Sequence, residues 1–104
     1  MSKYRSIPTV VNGIRFASRG ESRRYQELLL LERARQIEQL ALQPQFPLIV
    51  SGQKIGTYIA DFQYVNPLTG EVIVEDFKGI ETPVFKLKKK LVKALYGFDV
   101  CCVS

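Results

Sequence analysis

Two strand-like runs, joined by a tight turn, carry charges where charge is costly. They span 58–65 (YIADFQYV) and 72–78 (VIVEDFK), with Asn66, Pro67, Leu68, Thr69 and Gly70 between them. Such a turn between apolar runs reads as a hairpin. Val72, Ile73, Val74 and Phe77 are apolar on both faces, the pattern of a central strand covered on both sides. Charges embedded there are expensive unless paired or ligated. Residues two apart share a face, so Asp76 and Lys78 point the same way. Register decides which acid Asp61 meets. If Val65 pairs with Glu71, Asp61 faces Glu75; a loop one residue longer, or a bulge, sets it against Asp76. Chemistry favours Asp76, because only that choice leaves a lysine two residues on. Carboxylates about 5 Å apart across a ladder repel each other, and a divalent cation removes the repulsion. A neighbouring lysine steadies an attacking hydroxide or a crowded phosphate, which suits metal-dependent phosphodiester cleavage. The competing reading is a solvated hairpin with scattered charges.

What the chain lacks narrows the chemistry further. Its 104 residues contain no histidine, which excludes Ser-His-Asp and Cys-His nucleophile systems and histidine-ligated metal nucleases. There is no phosphate loop and no dinucleotide fingerprint, so no organic cofactor is expected. Hydrolysis must rest on carboxylates, lysine and a metal. The length fits one domain with a modest core. A net charge of +5 favours a polyanionic partner. No apolar run approaches the roughly 20 residues of a membrane span, and the first residues have no apolar signal core. An intracellular protein without a membrane partner is expected. Cys101 and Cys102 are adjacent and read as free, buried thiols in a reducing compartment.

Residues 1–13 read as a basic N-terminal arm with a turn at Asn12-Gly13, and 14–104 as a single domain. Ile14 to Phe16 form a short extended lead-in. Ser18 and Glu21 fit a capping box, opening a helix through Tyr25, Leu28–Leu31, Ala34 and Ile37 to about Gln39. Four consecutive leucines predict broad burial against a sheet. The run 41–50 is apolar but holds Pro44 and Pro47, which predicts an edge strand or a bulge. Ser51-Gly52-Gln53-Lys54 reads as a hairpin turn. Thr82 and Pro83 start a second helix, which ends near Tyr96-Gly97; Phe98 to Val103 form a last strand. That helix is predicted to send Phe85, Leu87, Leu91, Ala94 and Leu95 to the core. Lys86, Lys88, Lys89, Lys90 and Lys93 occupy its other positions, with Lys86, Lys90 and Lys93 on one face. No acid lies between Thr82 and Phe98. A phosphate-binding strip is one reading, which Arg19, Arg23 and Arg24 would extend; a solvated helix surface is the other.

These pieces resemble the PD-(D/E)XK nuclease superfamily, with its restriction-endonuclease-like fold. The chain looks closest to small phage proteins described as Holliday-junction-resolvase-like nucleases. Three segments carry the likeness: Phe16 to Glu21 with Tyr25; Gly56 to Phe62; and Val74 to Gly79 with Thr82, Pro83 and the lysine-rich helix. With Leu42, Gln43 and Pro44 they span most of the chain from about residue 12. The resemblance implies an α/β fold with an αβββαβ core, a mixed central sheet flanked by helices. It puts Asp61 and Asp76 at the two motif acids, Lys78 at the motif lysine and Glu21 at a helix acid near the metal. It implies Mg²⁺ or Mn²⁺ ligated by Glu21, Asp61 and Asp76, hydrolysis of DNA, branched substrates of the junction type, and host cytoplasm as the location if phage-encoded. Ala60 departs from the motif, where proline is expected. Glu21 is also explained by capping alone, Glu27 is a rival helix acid, and Gln43 reads first as a strand polar residue, with a place near the site as the weaker reading. Cutting opposed strands of a junction needs two sites, so a homodimer is expected, with the C-terminal strand one candidate edge. The alternative class is a non-catalytic nucleic-acid-binding protein that keeps the fold.

Overall fold

The computed structural model describes residues 7–78 and 80–104. The chain opens on a hairpin of β1 (Thr9–Val11) and β2 (Ile14–Phe16). Asn12 and Gly13 both take positive φ, 53° and 76°, as a two-residue hairpin turn requires. The hairpin crosses the boundary drawn at residue 13, and Val11 and Ile14 pack on the core. The part of the expected arm at residues 1–6 lies outside the described residues.

Helix α1 (Arg19–Arg33) starts as expected, with the Ser18 hydroxyl accepting from the Glu21 backbone N–H. It ends at Arg33, not near Gln39. Arg35 turns left-handed at φ 60°, and the N–H groups of Arg35 and Gln36 donate back to Glu32 and Leu31. Ile37 is thereby freed from the helix and buried among Phe16, Tyr25, Leu28, Phe62 and Tyr64. The four leucines are broadly covered, with one exception: Leu28 is buried and Leu29 and Leu31 pack against its cluster, while Leu30 is 64% exposed.

The run 41–50 divides between β3 (Glu38–Leu42) and β4 (Gln45–Val50), with Gln43 left-handed between them. Strand β4 pairs only with β5 (Gln53–Ile59), with a register shift at Leu48/Ile49. Pro47 thus sits where no further strand needs its missing N–H, and the edge and the bulge both occur. The 58–65 run is not one straight strand. It bends at Ala60–Asp61, so that β5 joins β4 while β6 (Phe62–Val65) lies between β3 and β7 (Val72–Phe77). Backbone bonds from Ala60 to Pro44, from Asp61 to Glu75 and from Gln43 to Asp61 carry the pairing through the bend.

Helix α2 (Pro83–Tyr96) is capped by Thr82, whose hydroxyl accepts from the Phe85 N–H, and by Gly97 at φ 81°. It leads to β8 (Cys101–Val103), which runs parallel to β7. The main sheet has the order β3-β6-β7-β8, and its other pairings are antiparallel. The molecule is therefore a small α/β domain with a mixed sheet and two helices. On β7 the side chains alternate. Ile73 packs with the α1 cluster, and Val74 joins Leu48, Tyr58, Ala60, Phe85, Val92 and Val100 in the α2 cluster.

The core face of α2 differs from the expected one. Phe85 and Val92 are buried, whereas Leu87 and Leu95 are 60% and 41% exposed and Ala94 is exposed. Leu87 lies two residues from Phe85, on nearly the opposite side of the helix. Cys101 and Cys102 are free but exposed, not buried, because β8 is a short strand at the sheet margin. Among the described residues no helix is long and apolar enough to cross a membrane.

One close approach locks α1 to the sheet. A Cβ at Gly20 would overlap the Phe77 ring on β7. Alanine at 20 would gain about 1 kcal/mol in helix propensity, but overpacking costs typically about 1–3 kcal/mol. Gly20→Ala is expected to lower stability by roughly 1 kcal/mol, read as a lower urea midpoint, despite its favourable propensity.

Candidate active site

Register places the central acids. Phe62 pairs with Glu75 and Val65 with Val72, so the next position sets Asp61 across from Asp76. This is the register that chemistry favoured. Asp61 Oδ2 accepts from the Phe77 N–H at 2.7 Å, which ties its side chain to β7. Asp76 is 2% exposed. Its Oδ2 accepts from the Tyr58 hydroxyl, and its Oδ1 lies 3.5 Å from Lys78 Nζ. Lys78 Nζ also sits 4.6 Å above the Phe85 ring, which holds the ammonium at the mouth of the site by attraction to the ring face.

Glu75 is removed from contention by the same alternation. It faces α1, where Arg24 grips both its oxygens, Nε at 2.8 Å and Nη2 at 2.6 Å, and Tyr64 donates a third bond. Arg24 accordingly leaves the proposed phosphate strip and becomes a structural partner. Its guanidinium is raised above its ordinary pKa, chiefly by the bond to Glu75. Glu27 is exposed and pairs with Arg24 at 3.6 Å.

The electrostatics of the acid pair follow from burial. Desolvation pushes the Asp76 carboxyl up to about 7, and its bond with Asp61 adds to the shift; the Tyr58 hydroxyl and Lys78 oppose it. Asp61 is also raised, first by burial and further by Glu21, against Asp76 and the Phe77 N–H, which lower it. Facing carboxyls that interact this strongly titrate as a unit. Burial raises the Tyr58 phenol, and Asp76 raises it further, so it remains a donor.

Glu21 belongs to the helix cap and also borders the clefts. Its backbone takes part in the cap, and its Oε2 accepts from the Ala17 N–H at 3.4 Å. Its side chain also lines the clefts beside Asp61. The larger cleft on this side, about 560 Å³, is bordered by Pro8, Arg15, Phe16, Ala17, Glu21, Gln43 and Asp61. A second, about 260 Å³, opens beside Asp76 and Lys78 and is flanked by Thr57, Tyr58, Ile59, Val84, Phe85 and Lys88. Gln43 thus borders the site.

Sequence reasoning missed Tyr58, Arg15 and Lys88 as neighbours of the acids. The one available signal was Tyr58, a tyrosine in an apolar run whose hydroxyl needs a partner once buried. The expected DNA-binding residues Lys86, Lys89, Lys90 and Lys93 border neither cleft. Lys89 pairs with Glu81 at 3.7 Å and Lys93 with Asp99 at 3.1 Å; Lys86 and Lys90 are exposed, as are Arg19 and Arg23.

Among the described residues no three Asp, Glu, Cys or His side chains converge as a ready-made metal cage. The donor set does fit a hard cation of the magnesium type, which is usually held by one or two carboxylates and keeps several waters. Asp61 and Asp76 form such a pair, desolvated and facing each other.

Fold and site together define a small α/β protein with a buried Asp76 opposite a half-buried Asp61 and a lysine opening onto a cleft. The chain belongs to the family described as Protein of unknown function (DUF1064), whose model matches residues 1–100. No curated protein and no solved structure matches it.

Proposed function

We propose that this protein is a divalent-metal-dependent DNA endonuclease of the restriction-endonuclease-like type. One observation carries the reading: the register that opposes Asp61 and Asp76, with Lys78 Nζ 3.5 Å from Asp76 Oδ1 at an open cleft. Asp61 and Asp76 would hold Mg²⁺ or Mn²⁺, with Glu21 reaching it directly or through water. The bound ion would acidify a water and neutralise charge on the scissile phosphate. Lys78 orients the attacking oxygen and counters charge developing on the phosphate. Tyr58 holds one oxygen of Asp76, leaving the other toward Lys78. Two opposed strands require two such sites, and a symmetric homodimer supplies them.

The test is a cleavage panel on linear, nicked, single-stranded and branched DNA, with Mg²⁺, Mn²⁺ or EDTA. Wild-type protein is expected to cut only with metal. Asp76→Asn is expected to cut at background level while still binding DNA. Lys78→Ala is expected to lose about 10²–10³ in rate, the scale for removing one group that stabilises transition-state charge. Binding without cleavage of any substrate by the wild type would replace this reading with a non-catalytic nucleic-acid-binding protein.

A further inference from the structure

The two clefts border the acid pair, one at each member. Asp61 borders one and Asp76 the other, and the two residues face each other across adjacent strands. Taken together as one trough, the two clefts set the acid pair between Arg15 on one border and Lys78 and Lys88 on the other. Arg15, on β2, stands at the Glu21 end. It is exposed and, among the described residues, has no acidic partner within 4.0 Å. Lys88 stands at the other end. Its Nζ donates to the Thr57 carbonyl at 3.4 Å, which draws the ammonium from α2 towards β5 and along the cleft wall.

This charge order matches a polyanionic strand whose central phosphate meets a metal ion at the acids and whose flanking phosphates meet the protein's own cations. We propose that a DNA strand lies along the trough, with Arg15 and Lys88 holding phosphates on either side of the carboxylate pair. The outward lysines of α2 then contribute little. The inference rests on the nuclease reading for what happens at the centre, but the grip itself is a binding property. Phosphate contacts position a strand without reading its sequence, so the grip is indifferent to base identity.

The experiment measures binding, so that it is independent of cleavage. Full-length protein carrying Asp76→Asn is titrated into labelled single-stranded and duplex oligonucleotides by fluorescence anisotropy over a range of KCl. Each phosphate contact contributes about 0.9 to the slope of log K against log salt on duplex and about 0.7 on a single strand. Arg15→Gln and Lys88→Gln are each expected to weaken binding and reduce the slope by roughly that amount. Lys86→Gln with Lys90→Gln is expected to leave the slope within error. Thermal melts of each variant show whether it is folded. Unchanged slopes for Arg15→Gln and Lys88→Gln in folded proteins would overturn the proposal, as would loss of the slope in the Lys86/Lys90 variant or no DNA binding by the parent. If wild-type protein cleaves while those two slopes stay fixed, the trough falls and the nuclease stands. If the slopes fall as expected but nothing is cleaved, the trough stands and the nuclease reading falls.

Discussion

Arg24→Leu is expected to destabilise the fold by about 3–5 kcal/mol, the range for stranding one partner of a buried ion pair. Native domains hold only about 5–15 kcal/mol in total, so this variant is expected to be partly unfolded at 37 °C. Glu75 is 2% exposed and lies beneath α1. Its carboxylate receives two bonds from Arg24 and one from Tyr64. Without the guanidinium, a charge remains where water does not reach it. Arg24→Lys keeps a positive charge but lacks the planar fork, and is expected to lose a substantial part of the same energy. Replacing both partners, as in Arg24→Leu with Glu75→Leu, removes the stranded charge and should recover much of the loss. Urea unfolding of the three variants measures this. A loss below about 1 kcal/mol for Arg24→Leu, typical of an exposed pair, would remove the structural role of Glu75 and return it to the candidates for the metal site.

That pair also explains how far the sequence could be read. Period two along β7 is local, so the separation of Asp76 and Lys78 from Glu75 was legible, given a choice of register. The partner of Glu75 was not, because Arg24 is 51 residues away along the chain and only the packing of α1 on the sheet brings it in. The helix caps at Ser18 and Thr82 were legible because capping is decided within one turn. The end of α1 was not. Its apolar spacing runs on through Ile37, and tertiary burial of that residue below the sheet overrides the helical period. The bend at Ala60–Asp61 was hidden for a related reason: a continuous apolar run specifies extended chain, but not which strand each half will join. The cleft cation Arg15 carries no local signature, and nothing local marks Lys88 out from the other lysines of the conspicuous run on α2. Charge density drew attention to the outward face of α2, and the clefts lie elsewhere.

Asp76→Asn is expected to abolish most of the acid-range pH dependence of stability in metal-free protein, and to leave the variant more stable than wild type at pH 8. The sign follows from the direction of the shift. Asp76 titrates at about 7 in the folded protein, against 3.8 for the unperturbed group. Between those values the folded state holds a proton that the unfolded state has released. Stability is therefore fully present below about pH 4, falls as pH rises and is lost through about pH 7. Asp61, raised in the same direction, steepens the fall. The Asp76 contribution is on the order of 4 kcal/mol, which for a domain of this size corresponds to a melting shift of roughly 15 °C or more. Asparagine keeps an oxygen to accept from Tyr58 and adds an amide that can donate to Asp61, without a charge to desolvate. Thermal melts in EDTA at pH 5 and pH 8 are the measurement, with wild type falling steeply between them and Asp76→Asn falling only by the part that Asp61 contributes. Added Mg²⁺ or Mn²⁺ separates the metal reading from a purely structural pair. An ion that binds only the ionised carboxylates stabilises by mass action, so wild type at pH 8 should regain melting temperature with metal while Asp76→Asn gains much less. Equal gains in both proteins would place the cation somewhere other than between Asp61 and Asp76.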